Sequence, residues 1–442
     1  MYRETSKLLL YGDLGEDSIL AHLAGIFFDW EHGLSEKPAL VRRVYAEVKR
    51  LLDLATLYGF DHNLWHDYLT FELISNENSF SLTCERAGAA DGSVNRFAKA
   101  DFAAFKRLFD FDFAPIERDL GIDCFDVLTH YRAIPKKAQM YYRAVSERVR
   151  ALSDAIDRAR DADRIFDLVT AHYRDYGVGM FGLNRAFRVR AADGGVRFEA
   201  INNIDDVTLD DLIGYELQKA ELRENTAAFV SGRGCNNMLL YGDAGTGKST
   251  SVKAILNEYA GQGLRMIEIY KHQFSLLGDV IAAVKRRNYR FMIFIDDLSF
   301  EEHEVEYKFL KAVIEGGVET RPDNVLICAT SNRRHLVRET WGDRGDMEFN
   351  GDVHRSDTME EKLSLAARFG CAINYSNPDR RQYHEIVRGI ARRSGLDADD
   401  PALIAEANKW ELRHGGVSGR TAQQFINHLS GCAGKEGRTQ GG

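Results

Sequence analysis

Residues 238–250 read MLLYGDAGTGKST, a short apolar run that leads into a loop of glycines and small residues. A polyphosphate-binding loop needs inward-pointing backbone N–H groups, glycines where a Cβ atom would block close approach, a lysine, and a hydroxyl for magnesium. The spacing G-x-x-x-x-G-K-S supplies these groups through Gly242, Asp243, Ala244, Gly245, Thr246, Gly247, Lys248 and Ser249. The stretch therefore predicts a phosphate loop; the alternative is a glycine-rich turn with an incidental lysine.

Three side chains of this loop have predicted roles. Lys248 would neutralise the charge of the β- and γ-phosphates, and Ser249 would place its hydroxyl on Mg²⁺. Thr250 would lie near the α-phosphate. Val252, Ile255, Leu256 and Tyr259 recur at helical spacing after the loop, so a helix should begin there. Strand, loop and helix in this order are the context that a phosphate loop requires.

A second stretch, LLLYGDLGEDSI over residues 8–19, repeats the string LLYGD. It keeps Gly12 and Gly15, but Glu16 and Asp17 begin the run where Thr-Gly-Lys-Ser would be needed. Two carboxylates facing a polyphosphate would repel it. We therefore predict a single nucleotide site, near Lys248.

The composition is typical of a soluble globular protein with two or three domains. The 442 residues include 58 Lys and Arg against 67 Asp and Glu, a net charge of −9, and 44% are hydrophobic. The acidic balance argues against sequence-blind binding to nucleic acid. The basic stretches 285–290 and 331–335 are interpreted as solvated helix ends and phosphate-proximal charge, with nucleic-acid contact as the alternative.

The sequence also bears on the compartment. No apolar run approaches the roughly 18 residues of a membrane span, and residues 1–17 lack the long apolar stretch of a signal peptide. The six cysteines are scattered without C-x-x-C spacing, which indicates reduced thiols. We expect a cytoplasmic protein.

The first half of the chain is predicted to be mainly helical. Apolar residues recur at three- and four-residue steps in residues 39–60 and again in 138–161, so residues 1–185 are assigned to a helical domain. Alternating apolar residues around Asp193-Gly194-Gly195 predict a β-hairpin. The hairpin and the acidic stretch after it, residues 186–204, are interpreted as a linker.

The second half has a different pattern. Short apolar runs alternate with helical patterns over residues 205–377, which predicts an α/β domain with a parallel sheet covered on both faces. Residues 378–432 return to helical spacing and predict a small helical lid. Residues 433–442 are rich in glycine and charge, and we expect a disordered tail.

Polar residues that follow two of the predicted strands suggest catalysis. The run FMIFIDD ends in Asp296 and Asp297, and VLICATSN ends in Asn332. Ligands of open α/β sheets bind at the carboxyl ends of the strands. Asp296 would hold magnesium through water, Asp297 would orient and deprotonate the attacking water, and Asn332 would hydrogen-bond that water and the γ-phosphate. The alternatives are a solvated strand end and an asparagine in a turn.

Taken together, these motifs resemble those of the AAA+ ATPases. More closely, the chain is similar to the bacterial ATP-binding family catalogued as domain of unknown function 815. The resemblance rests on NNMLLYGDAGTGKSTSVKAIL, IDDLSFEEHEVEYKFLKAVIEGG, VLICATSNRRHLV, GDVHRSDTMEEKLSLAARFG and SGRTAQQF, which fall within roughly residues 200–430.

The resemblance implies a five-stranded parallel sheet, a helical lid, and ATP with Mg²⁺ bound where the lid meets the sheet. Asn332 would be the first sensor residue, and Arg420 would be the second sensor, reporting the γ-phosphate from a lid helix. Arg368 would be an arginine finger in the neighbouring subunit's site, which implies a homo-oligomer. Ile213, Gly214 and Tyr215 would pack against the adenine. Both arginines have an alternative as surface charges on helices.

One departure affects the predicted activity. Most AAA+ proteins place Glu after the magnesium-binding Asp, whereas Asp297 is one methylene shorter; Glu301 and Glu302, just downstream, are candidates to assist it. We therefore predict an ATPase that remodels an unidentified protein bound by the N-terminal domain. Its turnover is expected either to be slow or to need another subunit or a partner that completes the site. The first alternative is a nucleotide-dependent binding switch with little turnover. The second is a DNA-linked loader similar to replication initiators.

Overall fold

A computed structural model describes the chain over residues 1–15, 17–134, 143–300, 304, 306–315, 322–332, 336, 365–397 and 401–436. The chain divides into two compact units, Met1–Asn184 and Arg185–Gly442. Within the described residues, no helix combines the length and the apolar character needed to cross a membrane. Five of the cysteines are free thiols: Cys84, Cys124, Cys235, Cys328 and Cys371.

The described part of the first unit is built from helices, with one isolated β-bridge between His62 and Tyr131. Its helices are α1 (Tyr2–Thr5), α2 (Ile19–Glu31), α3 (Lys37–Tyr58), α4 (Leu64–Ser75), α5 (Ser79–Ala87), α6 (Val94–Phe109), α7 (Ala114–Leu120), α8 (Cys124–Thr129), α9 (Arg143–Asp157), α10 (Ala162–Tyr176) and α11 (Gly179–Leu183). Helix α3 shows why: Leu40, Val44 and Leu51 recur on one face and are buried. It ends at Gly59, whose φ of 72° is left-handed.

The repeated LLYGD string lies in this first unit, where its backbone binds an internal carboxylate. Asp101 is 1% exposed. Its Oδ2 accepts hydrogen bonds from the backbone N–H groups of Leu10 at 2.8 Å and Tyr11 at 3.1 Å, and Leu9 N–H donates to its Oδ1 at 3.0 Å. A Cβ atom on Gly12 would lie 2.5 Å from the carbonyl oxygen of Leu8. The amides of Leu9, Leu10 and Tyr11 therefore stabilise a buried charge of their own unit.

The second unit is built on a seven-stranded sheet. Its strands are β1 (Ala186–Ala192), β2 (Gly195–Ala200), β3 (Met238–Gly242), β4 (Leu264–Glu268), β5 (Arg290–Ile295), β6 (Val325–Ser331) and β7 (Cys371–Tyr375). Their order is β2-β1-β4-β5-β6-β3-β7. The strands from β4 to β7 in that order are parallel. This arrangement confirms the α/β fold class. The parallel part of the sheet, from β4 to β7, contains the five expected strands.

The hairpin extends this sheet to seven strands, which the sequence did not predict. Strand β1 pairs in parallel with β4, with Ala186 opposite Met266, and β2 pairs with β1 in antiparallel fashion. The pairing covers the otherwise open edge of β4. The hairpin formed by residues 186–200 is thus part of the sheet rather than part of a linker.

Helices complete the second unit. They are α12 (Glu216–Val230), α13 (Lys248–Tyr259), α14 (Leu277–Val284), α15 (Tyr307–Glu315), α16 (Arg380–Arg393), α17 (Pro401–Arg413) and α18 (Gly419–Glu436). The last three pack around their own apolar core, which includes Tyr383, Val387 and Phe425. Because α18 reaches Glu436, residues 433–436 of the expected tail are helical; residues 437–442 lie outside the described residues.

Candidate nucleotide site

The phosphate-loop sequence forms a tight turn between β3 and α13. Gly245 and Gly247 have left-handed φ values of 80° and 93°, which favour glycine. A Cβ atom on Gly242 would lie only 2.2 Å from the carbonyl oxygen of Tyr375. Helix α13 begins directly after Gly247, at Lys248, so its N-terminal N–H groups are available to an anion.

The lysine of the loop lies inside this turn. Lys248 is 7% exposed, and its Nζ donates hydrogen bonds to the carbonyl oxygens of Gly242 at 3.0 Å and Asp243 at 2.6 Å. It also donates to Oδ1 of Asn332 at 3.0 Å. Burial lowers the pKa of the Lys248 ammonium, while the carboxylates of Asp243 and Asp297 oppose that shift. The site therefore holds a buried cation that an anionic ligand would stabilise.

The two carboxylates after β5 have different partners. Asp296 Oδ1 accepts a hydrogen bond from the Ser249 hydroxyl at 2.6 Å and another from the Thr330 hydroxyl at 2.5 Å. Asp297 Oδ1 accepts from Asn332 Nδ2 at 2.8 Å. Asp297 also has a left-handed φ of 52°, which is rare for a residue other than glycine. The structure thus brings together the predicted residues that follow β3, β5 and β6.

A cavity of about 790 Å³ opens at this edge of the sheet. This volume is within the usual range of small-molecule sites. Its polar lining includes Thr246, Lys248, Ser249, Thr250, Asp296, Asp297, Thr330 and Asn332. Its apolar lining includes Val207, Leu212, Ile213, Ile386 and Ile390, from the segment before α12 and from α16.

The lid reaches the phosphate loop through α18. The backbone N–H of Arg420 donates to the carbonyl oxygen of Gly245 at 3.1 Å. A Cβ atom on Gly245 would lie 3.0 Å from the Cβ of Arg420. Arg420 also lines the cavity, so the predicted second sensor lies beside the loop.

The predicted adenine segment is only partly at the cavity. Ile213 and Tyr215 line it, whereas Gly214 is not among the lining residues. The Tyr215 hydroxyl donates to the carbonyl oxygen of Ser376 at 3.0 Å, and its ring stacks on Tyr375 at 5.3 Å between centroids. Burial raises the pKa of Tyr215 to about 12. Tyr215 therefore ties this segment to the chain that leaves β7 for the lid.

Two features of the site were missed by sequence reasoning. Arg393 on α16 donates to the Asp211 carboxylate and to the Asp211 carbonyl oxygen, both at 2.7 Å, across the cavity lining. Thr330 contacts the acidic turn after β5. The first pair joins residues 182 positions apart, so no local pattern reveals it. The sequence could have indicated Thr330, because a hydroxyl in a strand that is buried at every position needs a hydrogen-bond partner.

Other predicted residues lie elsewhere or outside the described residues. Arg368 is half-buried and does not line this cavity. Glu301 and Glu302 lie outside the described residues, as do residues 333–335 of the second basic stretch. In the first basic stretch, Arg290 donates to the Asp323 carbonyl oxygen at 2.8 Å.

The chemistry of the donor set fits a magnesium nucleotide. The Ser249 hydroxyl and the Asp296 carboxylate are hard oxygen ligands, and they already lie 2.6 Å apart. The loop supplies a buried lysine and a helix N-terminus for phosphates. Ser249, Asp296 and Lys248 are thus the residues that would hold Mg²⁺ and the phosphates.

Comparison with known proteins identifies the family. The family model described as "Protein of unknown function (DUF815)" matches residues 183–433, more than half of the 442 residues. The chain belongs to the DUF815 family. The matched residues include the sheet, the phosphate loop and the lid helices up to residue 433.

Two curated relatives and one solved structure are more distant. The proteasome-activating nucleotidase of Methanocaldococcus jannaschii is 24% identical over 231 residues, 49% of this chain and 49% of that protein. Proteasome-activating nucleotidase 1 of Haloferax volcanii is 24% identical over 230 residues, 49% of this chain and 53% of that protein. The chain thus spans about half the length of the curated relatives it matches. A RuvB mutant of Thermotoga maritima gives a TM-score of 0.34 at 19% identity, with 50% of this chain and 64% of that one covered.

The family match confirms the resemblance to the DUF815 family that the sequence indicated, and the distant nucleotidases support the wider resemblance to AAA+ ATPases. The parallel strands and the phosphate-loop turn between β3 and α13 give the chain an α/β fold of the P-loop type.

Proposed function

We propose that this chain hydrolyses ATP to ADP and phosphate with Mg²⁺ and uses the free energy to remodel a protein partner. One observation carries the proposal: Lys248, Asn332 and Asp297 form a continuous hydrogen-bonded chain at the carboxyl edge of the sheet. Ser249 and Asp296 lie beside that chain in the same cavity. A protein that only bound nucleotide would not need these catalytic groups together.

Binding would use the two parts of the cavity lining. The apolar side chains before α12 and on α16 would take the base, and the N–H groups of the loop would take the phosphates. Lys248 would turn from the loop carbonyl oxygens toward the β- and γ-phosphates. Arg420, whose backbone N–H donates to the loop and which lines the cavity, would contact the γ-phosphate from the lid.

Hydrolysis would be an in-line attack of water on the γ-phosphorus, which breaks the bond to the oxygen bridging the β- and γ-phosphates. Asp297 would accept the proton of the attacking water, and the Asn332 amide would orient that water. When bound, Mg²⁺ would neutralise charge on the phosphate oxygens, held by Ser249 and, through water, by Asp296. The left-handed backbone at Asp297 sets the direction of its shorter side chain.

Assembly would complete the site. Arg368 does not line the cavity of its own chain, which supports a role in the site of a neighbouring copy. An arginine finger supplied in this way increases the rate by about 10³- to 10⁵-fold. The helical first unit would bind the partner, because the ATPase core alone gives no target specificity.

The second candidate is a nucleotide-dependent switch with little turnover. The contact of Asn332 Nδ2 with Asp297 Oδ1 at 2.8 Å favours it, since that contact occupies the base that would activate water. ATP binding would have to break this contact before hydrolysis. Lid movement without hydrolysis would then be the output.

Phosphate release from Mg·ATP, measured over a wide range of protein concentration, separates the two candidates. A shared site predicts that the activity per chain rises with concentration, and that Lys248→Ala and Arg368→Ala abolish it. Wild-type activity equal to that of Lys248→Ala at every concentration, together with intact ATP binding, would favour the switch. Arg388→Ala is the matched control, because Arg388 is an exposed lid arginine outside the cavity lining.

A further inference from the structure

Thr330, near the end of β6, binds three successive residues of the acidic turn after β5. Its side chain is buried, and the residue is 2% exposed. Its hydroxyl donates to Asp296 Oδ1 at 2.5 Å and accepts from the backbone N–H of Asp297 at 3.0 Å. Its carbonyl oxygen accepts from the N–H of Leu298 at 2.7 Å. One residue therefore contacts the carboxylate of the predicted metal ligand Asp296 and the backbone of the predicted base Asp297.

The direction of these hydrogen bonds follows from the groups involved. An ionised carboxylate and a backbone N–H leave one arrangement, because a carboxylate only accepts and an N–H only donates. The hydroxyl proton of Thr330 must point at Asp296, and an oxygen lone pair must face Asp297. A side chain of the same shape without the hydroxyl would lose both contacts.

Each contact has a consequence for the site. Asp296 Oδ1 is held by two hydroxyls, those of Thr330 and Ser249. If Ser249 moves to the metal, the contact with Thr330 remains to orient Asp296. At Asp297 the left-handed φ is unfavourable for a residue with a Cβ atom, so it persists only where surrounding contacts hold it. Thr330 provides such a contact.

We infer that Thr330 is a positioning residue for ATP hydrolysis, which aims Asp296 at Mg²⁺ and holds Asp297 toward the attacking water. This inference rests on the proposed function of the same site. Thr330 acts through the Asp296 carboxylate and the Asp297 backbone, and not by contact with the reacting atoms. Loss of the Thr330 hydroxyl should therefore change the response of nucleotide affinity to Mg²⁺ and lower kcat. The affinity for nucleotide without metal should change little.

The neighbouring Ser331 gives a matched control. It is also fully buried on β6, and its hydroxyl donates to the carbonyl oxygen of Leu298 at 2.7 Å. That hydrogen bond holds the same turn but contacts neither carboxylate. Ser331→Ala thus tests whether the loss of any hydrogen bond to this turn gives the same result.

The experiment measures the affinity for a fluorescent ATP analogue with Mg²⁺ and with EDTA, together with kcat for ATP, in the full chain. Thr330→Val should remove most of the Mg²⁺-dependent gain in affinity and lower kcat by on the order of 10- to 100-fold, as expected for lost hydrogen bonds to charged groups. Its affinity in EDTA should be unchanged. Thr330→Ser should restore both properties, and Ser331→Ala should stay within about threefold of wild type.

The outcomes distinguish the inference from the proposed function. A Thr330→Val protein with the wild-type response to Mg²⁺ would overturn the inference, and so would an equal loss in Ser331→Ala. If Lys248→Ala releases phosphate as fast as wild type, the proposed hydrolysis is wrong, and the Mg²⁺-dependent affinity of Thr330→Val still decides the inference. Thr330→Ala, which adds no methyl group against Asp296, replaces Thr330→Val if the latter does not fold.

Discussion

The pair of Arg393 and Asp211 should control how fast nucleotide leaves the site. Arg393 extends from lid helix α16 to the Asp211 carboxylate and carbonyl oxygen, both at 2.7 Å. The N–H and the hydroxyl of Thr208 fix the same carboxylate at 2.7 Å and 2.9 Å. Both partners line the cavity. Breaking the pair should therefore favour an open lid.

The free energy that the Arg393–Asp211 pair contributes follows from the solvent exposure of its two side chains. The side chains of Arg393 and Asp211 are 42% and 36% exposed, and pairs this accessible contribute about 0–1 kcal/mol because water and salt screen them. Two-point contact and the fixed carboxylate place this pair near the upper value, about 1 kcal/mol. A loss of that size corresponds to roughly fivefold faster release of ADP. Added salt should reduce the difference.

The assay is stopped-flow release of a fluorescent ADP at low and high salt. Arg393→Ala, Asp211→Ala and the double variant form a cycle, and Arg388→Ala is the control for loss of a lid arginine. Because either substitution alone breaks the pair, the double variant should release ADP no faster than either single variant. Additive effects, or unchanged release in Arg393→Ala at low salt, would refute it.

Three further changes have definite expected results. Asp101→Asn should lower the free energy of unfolding by about 1–3 kcal/mol in urea denaturation, because an amide replaces the buried acceptor of several N–H groups; Asp53→Asn, at an exposed carboxylate, should be neutral. Gly245→Ala should abolish ATP binding in titration calorimetry, since a Cβ atom at a φ of 80° would be strained and pressed against α18, whereas Gly261→Ala has open space. Burial lowers the pKa of Lys248 below 10.5, so ATP affinity should fall as pH rises toward and through that lowered pKa. Affinity profiles that coincide for wild type and Lys248→Ala would contradict this sign.

Local patterns predicted the strands and the turns at the phosphate-loop edge of the sheet. The apolar run before Gly242 became β3, and the runs before Asp296 and Asn332 became β5 and β6. A strand buried on both faces needs apolar residues at every position, and the residue after it needs solvent or a ligand. Both requirements concern neighbouring residues, so they are visible in the sequence alone.

Long-range pairings could not be predicted in the same way. The hairpin was visible as alternation around Gly194, but its pairing with β4 joins segments about 80 residues apart. The contact of Arg393 with Asp211 depends on the position of the lid. The string LLYGD resembles the phosphate loop, yet in the first unit its N–H groups bind the Asp101 carboxylate. In the second unit the same string lies largely in strand β3 and pairs with β6 and β7, so one short sequence has different partners in different surroundings.

The most direct test of the central claim is single-turnover conversion of ATP with protein in excess. Wild-type protein should convert bound ATP to ADP and phosphate. Asp297→Asn should bind ATP with similar affinity but convert it at least about 100-fold more slowly, as expected for the loss of a general base. Equal conversion by wild type and Asp297→Asn would show that Asp297 is not the base. No conversion by wild type at saturating protein and Mg²⁺ would contradict ATP hydrolysis at this site.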